Sequence, residues 1–320
     1  MDVFIAFFLF LAALALIIKG CGFLVGAAIR LNAVTGLSKV AIGATFIAVA
    51  TTAPEIFILL ISVMRGNHDL AVGSAIGSMI ANIALVLALY MAFLPSRVDR
   101  KDIISKSLFL LAVLVFVFIF SLNGSLNFLE GIFLILAFTL FILTVGRGKQ
   151  GPAIKRHQKT PFQTKMWIKI VAGALMGQAL MMGGAFLLVN NAERLSELMG
   201  LSHTVIGFTV VALGTAAPEL ATVIIAIRRK SGDLALGSIL GANVIGSTLL
   251  LGLSGLVVGA EHGSVGISNQ ILWVSLPILL GATLAATIPM MLRGRTYRWQ
   301  GIVLVAVYAA YIIFLVTARV

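Results

Sequence analysis

The chain has 320 residues, of which 60% are hydrophobic and only 11% are charged, and its mean hydropathy is +1.12. So few polar residues could not cover the surface of a soluble domain, so the composition indicates a membrane protein. The net charge of +12 would suggest a nucleic-acid partner in a soluble chain. Here the basic residues sit in short loops between apolar runs, which points to membrane orientation and away from nucleic acid.

Ten apolar runs are long enough for a helix to cross about 30 Å of hydrocarbon. They cover approximately residues 3–29, 39–64, 69–94, 104–121, 127–145, 167–189, 203–227, 233–258, 269–291 and 299–317. The alternating pattern of a membrane barrel is absent, and open sheet edges cannot be satisfied in lipid. We therefore predict an all-α polytopic membrane protein with ten transmembrane helices. The basic linker 146–166 would separate a first five-helix repeat (1–145) from a second (167–320).

Lysine and arginine are concentrated in the loops on one side of this arrangement. The positive-inside rule places those loops, including 146–166, in the cytoplasm and both termini outside the cell. The N-terminal run lacks a basic leading segment and a clear cleavage site, which predicts a retained first span rather than a signal peptide. We expect a multi-pass plasma-membrane protein. Cys21 is the single cysteine, which excludes an intramolecular disulfide and a thiolate zinc site.

Two pairs of segments repeat at one constant separation. AIGATFIAVATTAPE (41–55) aligns with VIGFTVVALGTAAPE (205–219), and DLAVGSAIGSMIAN (69–82) aligns with DLALGSILGANVIG (233–246), each 164 residues later. Because each copy holds five spans, an odd number, the second copy must enter the membrane from the opposite face. The sequence therefore predicts two inverted five-helix repeats, with a site near the membrane midplane between them.

Each copy places a Pro-Glu pair deep in a span. Glu55 and Glu219 lie about 15 residues into their spans, at a depth where a charge costs a few kcal/mol. These spans hold no lysine or arginine at matching depth, so a dissolved cation is the expected partner. Pro54 and Pro218 cannot donate a hydrogen bond to the carbonyl four residues earlier. We expect each helix to open there and free its carbonyl groups.

Carboxylates, hydroxyls and free carbonyls together form an all-oxygen set, which suits hard cations such as Ca²⁺ or Na⁺. The expected ligand positions on the two Pro-Glu spans are Ala48, Thr51, Thr52, Glu55, Ala212, Thr215 and Glu219. Ser78 and Asn82, one turn apart on the next span, share a helical face and would form a second wall. Two alternatives stay open: the Pro-Glu pairs could be packing kinks with protonated glutamates, and Ser78 could bond only its own helix.

The Pro-Glu segments, each followed one span later by G-S-x-x-G, resemble the α-repeats of the sodium/calcium exchangers in the Ca²⁺/cation antiporter superfamily. The resemblance covers nearly the whole chain and is closest to short prokaryotic and archaeal exchangers without large regulatory domains. It implies that Glu55 and Glu219 bridge a central Ca²⁺ site and flanking Na⁺ sites. It also implies oxygen ligands at the remaining positions: the hydroxyls of Thr51 and Thr215, the carbonyls of Ala48 and Ala212, Thr52 in place of the usual serine, and Ser78 and Asn82.

The second repeat departs from the family pattern. Ala216 and Ala242 stand where serine is usual, and Gly246 stands where the family has Asp or Asn. These changes put a full set of Na⁺ sites in doubt and make Ca²⁺/H⁺ antiport the main alternative. A passive cation channel is the alternative of another class.

The sequence predicts a secondary-active antiporter that exchanges Na⁺ and Ca²⁺ by alternating access. The transported ions and the lipid bilayer are its expected partners, with no cofactor and no obligate protein partner. An enzyme is not expected, because no histidine lies in a span core beside an acid and no catalytic or metal-ligand spacing appears.

Overall fold

A computed structural model describes residues 3–64, 68–146, 164–198 and 212–317. The helices are α1 (Val3–Thr35), α2 (Lys39–Ile42), α3 (Ala48–Met64), α4 (His68–Ala81), α5 (Ala88–Phe93), α6 (Arg100–Ser121), α7 (Phe128–Gly146), α8 (Thr164–Leu198), α9 (Ala212–Arg228), α10 (Gly232–Ile245), α11 (Leu251–His262), α12 (Leu276–Arg293) and α13 (Arg298–Thr317). Four π-helical segments join some of them: π1 (Gly43–Ile47), π2 (Asn82–Leu87), π3 (Gly246–Leu250) and π4 (Ile271–Ser275). Two short strands, β1 (Ser125–Asn127) and β2 (Ser264–Gly266), pair antiparallel.

Within these described ranges, nine helical stretches are long and apolar enough to cross a membrane. The predicted helical membrane architecture is confirmed. The count of ten stays a prediction, because residues 199–211 of the expected seventh span lie outside the described residues, as does most of the linker at 147–163. The stretch Gly232–His262 is 94% buried by protein and Phe4–Thr35 only 28%. The eighth span is thus the centre of the bundle and the first span lies at its edge.

α1 and α8 pack along each other through small residues, which let two backbones approach closely. A Cβ atom on Gly20 would lie 2.7 Å from the carbonyl oxygen of Gly177, and one on Gly184 would lie 2.9 Å from that of Ala13. Gly177 and Gly184 follow Ala13 and Gly20 by the same 164 residues that separate the sequence repeats. One contact therefore occurs twice with the partners exchanged, as an internal two-fold relation requires.

The loops obey the same exchange. The loop between α5 and α6 pairs with the loop between α12 and α13 through an Arg97–Arg295 bridge. The loop between α6 and α7 pairs with the loop after α11 through β1 and β2. Because α6 crosses the bundle once between the two pairings, they lie at opposite ends of the molecule.

The expected opening of the helix at Pro54 is wrong. α3 runs without interruption from Ala48 to Met64 with Pro54 inside it, and α9 likewise contains Pro218. In the first repeat, the departure from α-helical geometry lies one turn earlier, in π1 (Gly43–Ile47). A missing donor is tolerated inside a membrane helix when neighbouring groups satisfy the freed backbone, so the proline alone does not break the helix.

Candidate functional site

Four helices meet at the centre of the bundle: α3 and α4 from the first repeat, α9 and α10 from the second. Glycines allow the two repeats to approach to backbone contact. A Cβ atom on Gly237 or Gly241 of α10 would collide with the carbonyl of Val40 or Ala44, respectively. The glycines of the G-S-x-x-G segment therefore serve close packing, and this packing brings the two glutamate helices together.

Glu55 on α3 and Glu219 on α9 are both buried, with 8% and 3% of their surface exposed. They are close enough for their charges to interact. Oε2 of Glu55 and both carboxylate oxygens of Glu219 have no hydrogen-bond partner among the described residues. Neither glutamate forms an ion pair with a basic residue of the described part of the chain. Two buried carboxylates in this arrangement require protons or a bound cation for charge balance.

The threonines of α3 link the two glutamates. Thr51 is buried and lies close enough to Glu219 to interact with its carboxylate, although its hydroxyl donates to the carbonyl oxygen of Ala48 at 3.2 Å. Thr52 is also buried, and its hydroxyl has no hydrogen-bond partner among the described residues. A side chain of the first repeat thus approaches the carboxylate of the second, so the site lies between the repeats.

The second wall is placed by α4 and π2. Ser78 donates its hydroxyl to the carbonyl oxygen of Ala75 at 3.1 Å, a bond within its own helix that leaves the hydroxyl oxygen able to accept or coordinate. Asn82 is buried and begins π2, and π3 begins at Gly246, 164 residues later. π-helical segments occur often at functional sites, where they reorient side chains and carbonyl groups.

Ala212 and Thr215 lie in the first turn of α9, before Glu219, where the structure describes their backbone. The substituted positions of the second repeat are buried, with Ala216 and Ala242 inside the protein. The space that a side chain at Gly246 would take is filled by Met79, whose Cγ would lie 2.7 Å from an added Cβ. A thioether therefore stands where the family pattern has an amide or carboxylate.

Sequence reasoning missed two groups beside Glu219. Cys21 of α1 donates its thiol to the carbonyl oxygen of Pro218 at 3.4 Å. Thr222, one turn after Glu219, is fully buried, and its hydroxyl has no partner in the part of the chain that the structure describes. A search by repeat could not find either residue, because their counterparts are Ala185 and Ile58.

Asn243 is a third buried polar group without full satisfaction. Its amide nitrogen donates to the carbonyl of Ile239 at 3.0 Å, and its Oδ1 atom has no described partner. Among the described residues, no group of three His, Cys, Asp or Glu could hold a metal ion. Any cation at this site would therefore depend on the two glutamates and on neutral oxygens.

This arrangement defines a polytopic helical membrane protein with two halves of shared architecture and a pair of buried acids between them. The chain belongs to the sodium/calcium exchanger protein family, whose model matches residues 5–146 and 169–317.

Relatives match over most of their length. The inner membrane protein YrbG of Escherichia coli is 32% identical over 271 residues, which are 82% of this chain and 83% of YrbG. The sodium/calcium exchanger MaX1 of Methanosarcina acetivorans is 25% identical over 97% of this chain and 98% of its own. A solved structure of the sodium-calcium exchanger NCX_Mj, soaked with zero Na⁺ and Ca²⁺, superposes with a TM-score of 0.84 at 25% identity. It covers 98% of this chain and 100% of that one.

Proposed function

We propose that this chain exchanges Na⁺ for Ca²⁺ across the plasma membrane at the site between Glu55 and Glu219. The observation that carries the proposal is the pair of buried carboxylates, close in space, with unpartnered oxygens and no basic neighbour. The names of the relatives MaX1 and NCX_Mj support Na⁺ and Ca²⁺ as the ions. The remaining ligands would be Ala48, Thr51, Thr52, Ser78, Asn82, Ala212 and Thr215.

Charge balance makes such a site an exchanger. Two carboxylates neutralise one Ca²⁺ ion or two Na⁺ ions, and an ion of either kind would occupy the same oxygens. The ions therefore exclude one another, so one leaves as the other binds. An empty site would leave two like charges buried together, which disfavours crossing without cargo. The site resembles all-oxygen Ca²⁺ sites in its donor chemistry.

Access would alternate by movement of the first and sixth spans. α1 and α8 pack on each other through glycines, while α1 also contacts α9 and α8 contacts α3. The pair thus leans on both glutamate helices from the edge of the bundle. A shift of this pair relative to the core would expose the site on one side and then on the other.

The direct test is ⁴⁵Ca²⁺ uptake into proteoliposomes loaded with Na⁺ and diluted into Na⁺-free medium. Exchange predicts accumulation of Ca²⁺ above the external concentration, and collapse of accumulation when monensin dissipates the Na⁺ gradient. A pH gradient of either sign, imposed without Na⁺, should drive no uptake. Accumulation driven only by the pH gradient would replace Na⁺ coupling with H⁺ coupling. Flux that equilibrates but never accumulates would indicate a passive channel.

A further inference from the structure

Three charged or aromatic side chains cluster where α12 ends and α13 begins. Arg295 donates its Nε–H to the hydroxyl oxygen of Tyr297 at 2.6 Å, and Arg293 approaches the same oxygen through Nη1 at 3.5 Å. The guanidinium carbons lie 4.5 Å and 6.0 Å from the centre of the tyrosine ring. One phenol therefore holds two guanidinium groups side by side. Both arginines lower the pKa of Tyr297 by stabilising its deprotonated form.

A third arginine is added by the neighbouring loop. Arg97 lies directly opposite Arg295 in an antiparallel bridge, and like charges in opposite positions destabilise such a pairing. Arg100 extends the group and donates its Nε–H to the carbonyl oxygen of Met291 at 2.6 Å. None of these arginines forms an ion pair with a carboxylate in the described ranges. The cluster therefore lacks an anion that would offset its repulsion.

The corresponding loops at the other end of the molecule show that the backbone pairing does not need these charges. Residues 122–127 and 263–270 pair through β1 and β2, yet they contain no lysine or arginine. On the arginine side the loops are zipped by further bonds, from the Val98 amide to the Gly294 carbonyl and from the Thr296 amide to the Ser96 carbonyl, both 3.0 Å. The basic cluster is thus an addition to a scaffold that forms without it.

Apolar side chains on the outer surface border the cluster. Leu292, Trp299 and Phe93 expose 64%, 56% and 73% of their surface at the ends of α12, α13 and α5. The ring centres of Tyr297 and Trp299 are 6.5 Å apart, and such amphipathic rings are enriched at the level of lipid headgroups. A ligand here would meet guanidinium groups with one end and hydrocarbon with the other, which fits a phospholipid better than a soluble phosphate.

We propose that Arg97, Arg293 and Arg295 bind the phosphodiester group of an anionic phospholipid. Guanidinium groups bind phosphate oxygens in pairs with fixed geometry, and basic pockets at the cytoplasmic ends of membrane helices suit anionic headgroups. The lipid supplies the missing counter-charge and ties the loop after α5 to the loop before α13. Binding at this cluster is independent of which ions the central site exchanges.

The test measures the melting temperature of the whole purified protein in a neutral detergent, with phosphatidylglycerol, phosphatidylcholine or glycerol 1-phosphate added. Phosphatidylglycerol should raise the melting temperature by about 3 °C or more, and the other two should not. In R293Q/R295Q this rise should disappear. The matched control is R228Q/K230Q, which removes two exposed charges from another loop that we expect on the same face. It should keep the full rise.

Two outcomes would overturn the proposal. Equal stabilisation of R293Q/R295Q and the wild type would show that these arginines serve membrane orientation alone. Stabilisation by glycerol 1-phosphate as strong as by the lipid would show a soluble anion site. If R293Q/R295Q fails to fold, Y297F supplies the answer, because it keeps every positive charge and removes only the oxygen that holds the two guanidinium groups. Y297F should lose at least half of the rise with phosphatidylglycerol, and an unchanged rise would count against the assignment.

Discussion

Among the side chains at the centre of the bundle, Glu55 and Glu219 stand out because their unpartnered oxygens are costly to bury. Other acidic residues of the chain are explained locally. Glu130, for example, accepts from the backbone amide of Asn127 at 2.8 Å in a helix-capping arrangement. The central pair has no such local partner, so its cost must be offset by whatever binds between the two side chains.

Glu55→Gln and Glu219→Gln should each lower Na⁺-driven Ca²⁺ uptake by about 100-fold or more. Loss of one charge leaves a single carboxylate for a divalent ion, and breaking a buried charge pair costs several kcal/mol of binding. The melting temperature without ions should not fall, because glutamine removes a buried charge. Glu261→Gln is the control, since this exposed carboxylate lies at the end of α11, and it should transport normally. Full uptake by either central mutant would refute the proposed site.

Ala216→Ser should raise the apparent affinity for Na⁺ by about fivefold. The substitution restores a hydroxyl at a buried position three residues before Glu219, and one additional oxygen ligand is worth about 1 kcal/mol. Na⁺ dependence of Ca²⁺ uptake measures the change. Ala221→Ser, on the same helix after Glu219, is the control and should leave the Na⁺ dependence as it is. An A216S variant with unaltered Na⁺ dependence would mean that position 216 does not face the ions.

At the level of elements, the closest packing in the bundle is between α10 and the segment Lys39–Ile47. A Cβ atom on Gly241 would lie closer than van der Waals contact to backbone atoms of Ala44, and backbone atoms cannot move aside as a flexible side chain can. Gly241→Ala should therefore destabilise the protein by about 1–3 kcal/mol, seen as a lower melting temperature with reduced Ca²⁺ uptake.

Gly281→Ala is the matched control on α12. No described atom lies within 4 Å of a Cβ at this glycine, so the same substitution should leave uptake unchanged. Its melting temperature should stay the same or rise slightly, because alanine favours the helix by up to about 1 kcal/mol. Equal effects of the two substitutions would show that the contact between α10 and Ala44 is looser than the structure indicates.

The edge helix α1 reaches the site through Cys21, whose thiol lies 3.4 Å from the Pro218 carbonyl. If α1 moves aside to admit water, a small water-soluble thiol reagent should label Cys21 in proteoliposomes. Saturating Na⁺ should slow this labelling several-fold, because a neutralised site allows α1 to close over it. The rate can be followed by mass spectrometry. Labelling that is insensitive to Na⁺ would argue against α1 as the moving element, and C21A identifies background reaction.

Much of this arrangement is readable in the sequence because it is repeated. The constant separation of 164 residues locates Glu55, Glu219 and the paired glycines, and the structure shows π2 and π3 at the same separation. Features without a counterpart escape such reasoning. Thr222 and Cys21 beside Glu219 are found only from packing, since nothing local marks them.

The proline expectation failed for a related reason. A proline inside a helix removes one donor, but whether the helix opens depends on neighbours that the local sequence does not specify. In α3 the helix continues through Pro54, and the irregular turn is π1, where Gly43 packs against backbone atoms of α10. Tertiary contact therefore decides where the backbone departs from regular geometry.

For the whole molecule, the exchanged contacts are the main argument for two inverted halves. The pairs Gly20–Gly177 and Ala13–Gly184 are related by the sequence repeat, and the two loop pairings lie at opposite ends. A parallel duplication would place corresponding loops at the same end. The repeat boundaries at residues 145 and 167 remain a prediction that follows from this relation.

Inverted halves of five spans each require that both chain ends lie on one side, and the distribution of basic loops predicts that this side is external. A C-terminal fusion to alkaline phosphatase should be active in a bacterial host, and the same fusion to green fluorescent protein should be dark. Fusions after residue 150, in the basic linker, should show the opposite pattern and control for expression. A fluorescent C-terminal fusion would imply an odd number of spans or a reversed orientation. The arginine cluster would then face outside, away from the leaflet where anionic lipids attract basic segments.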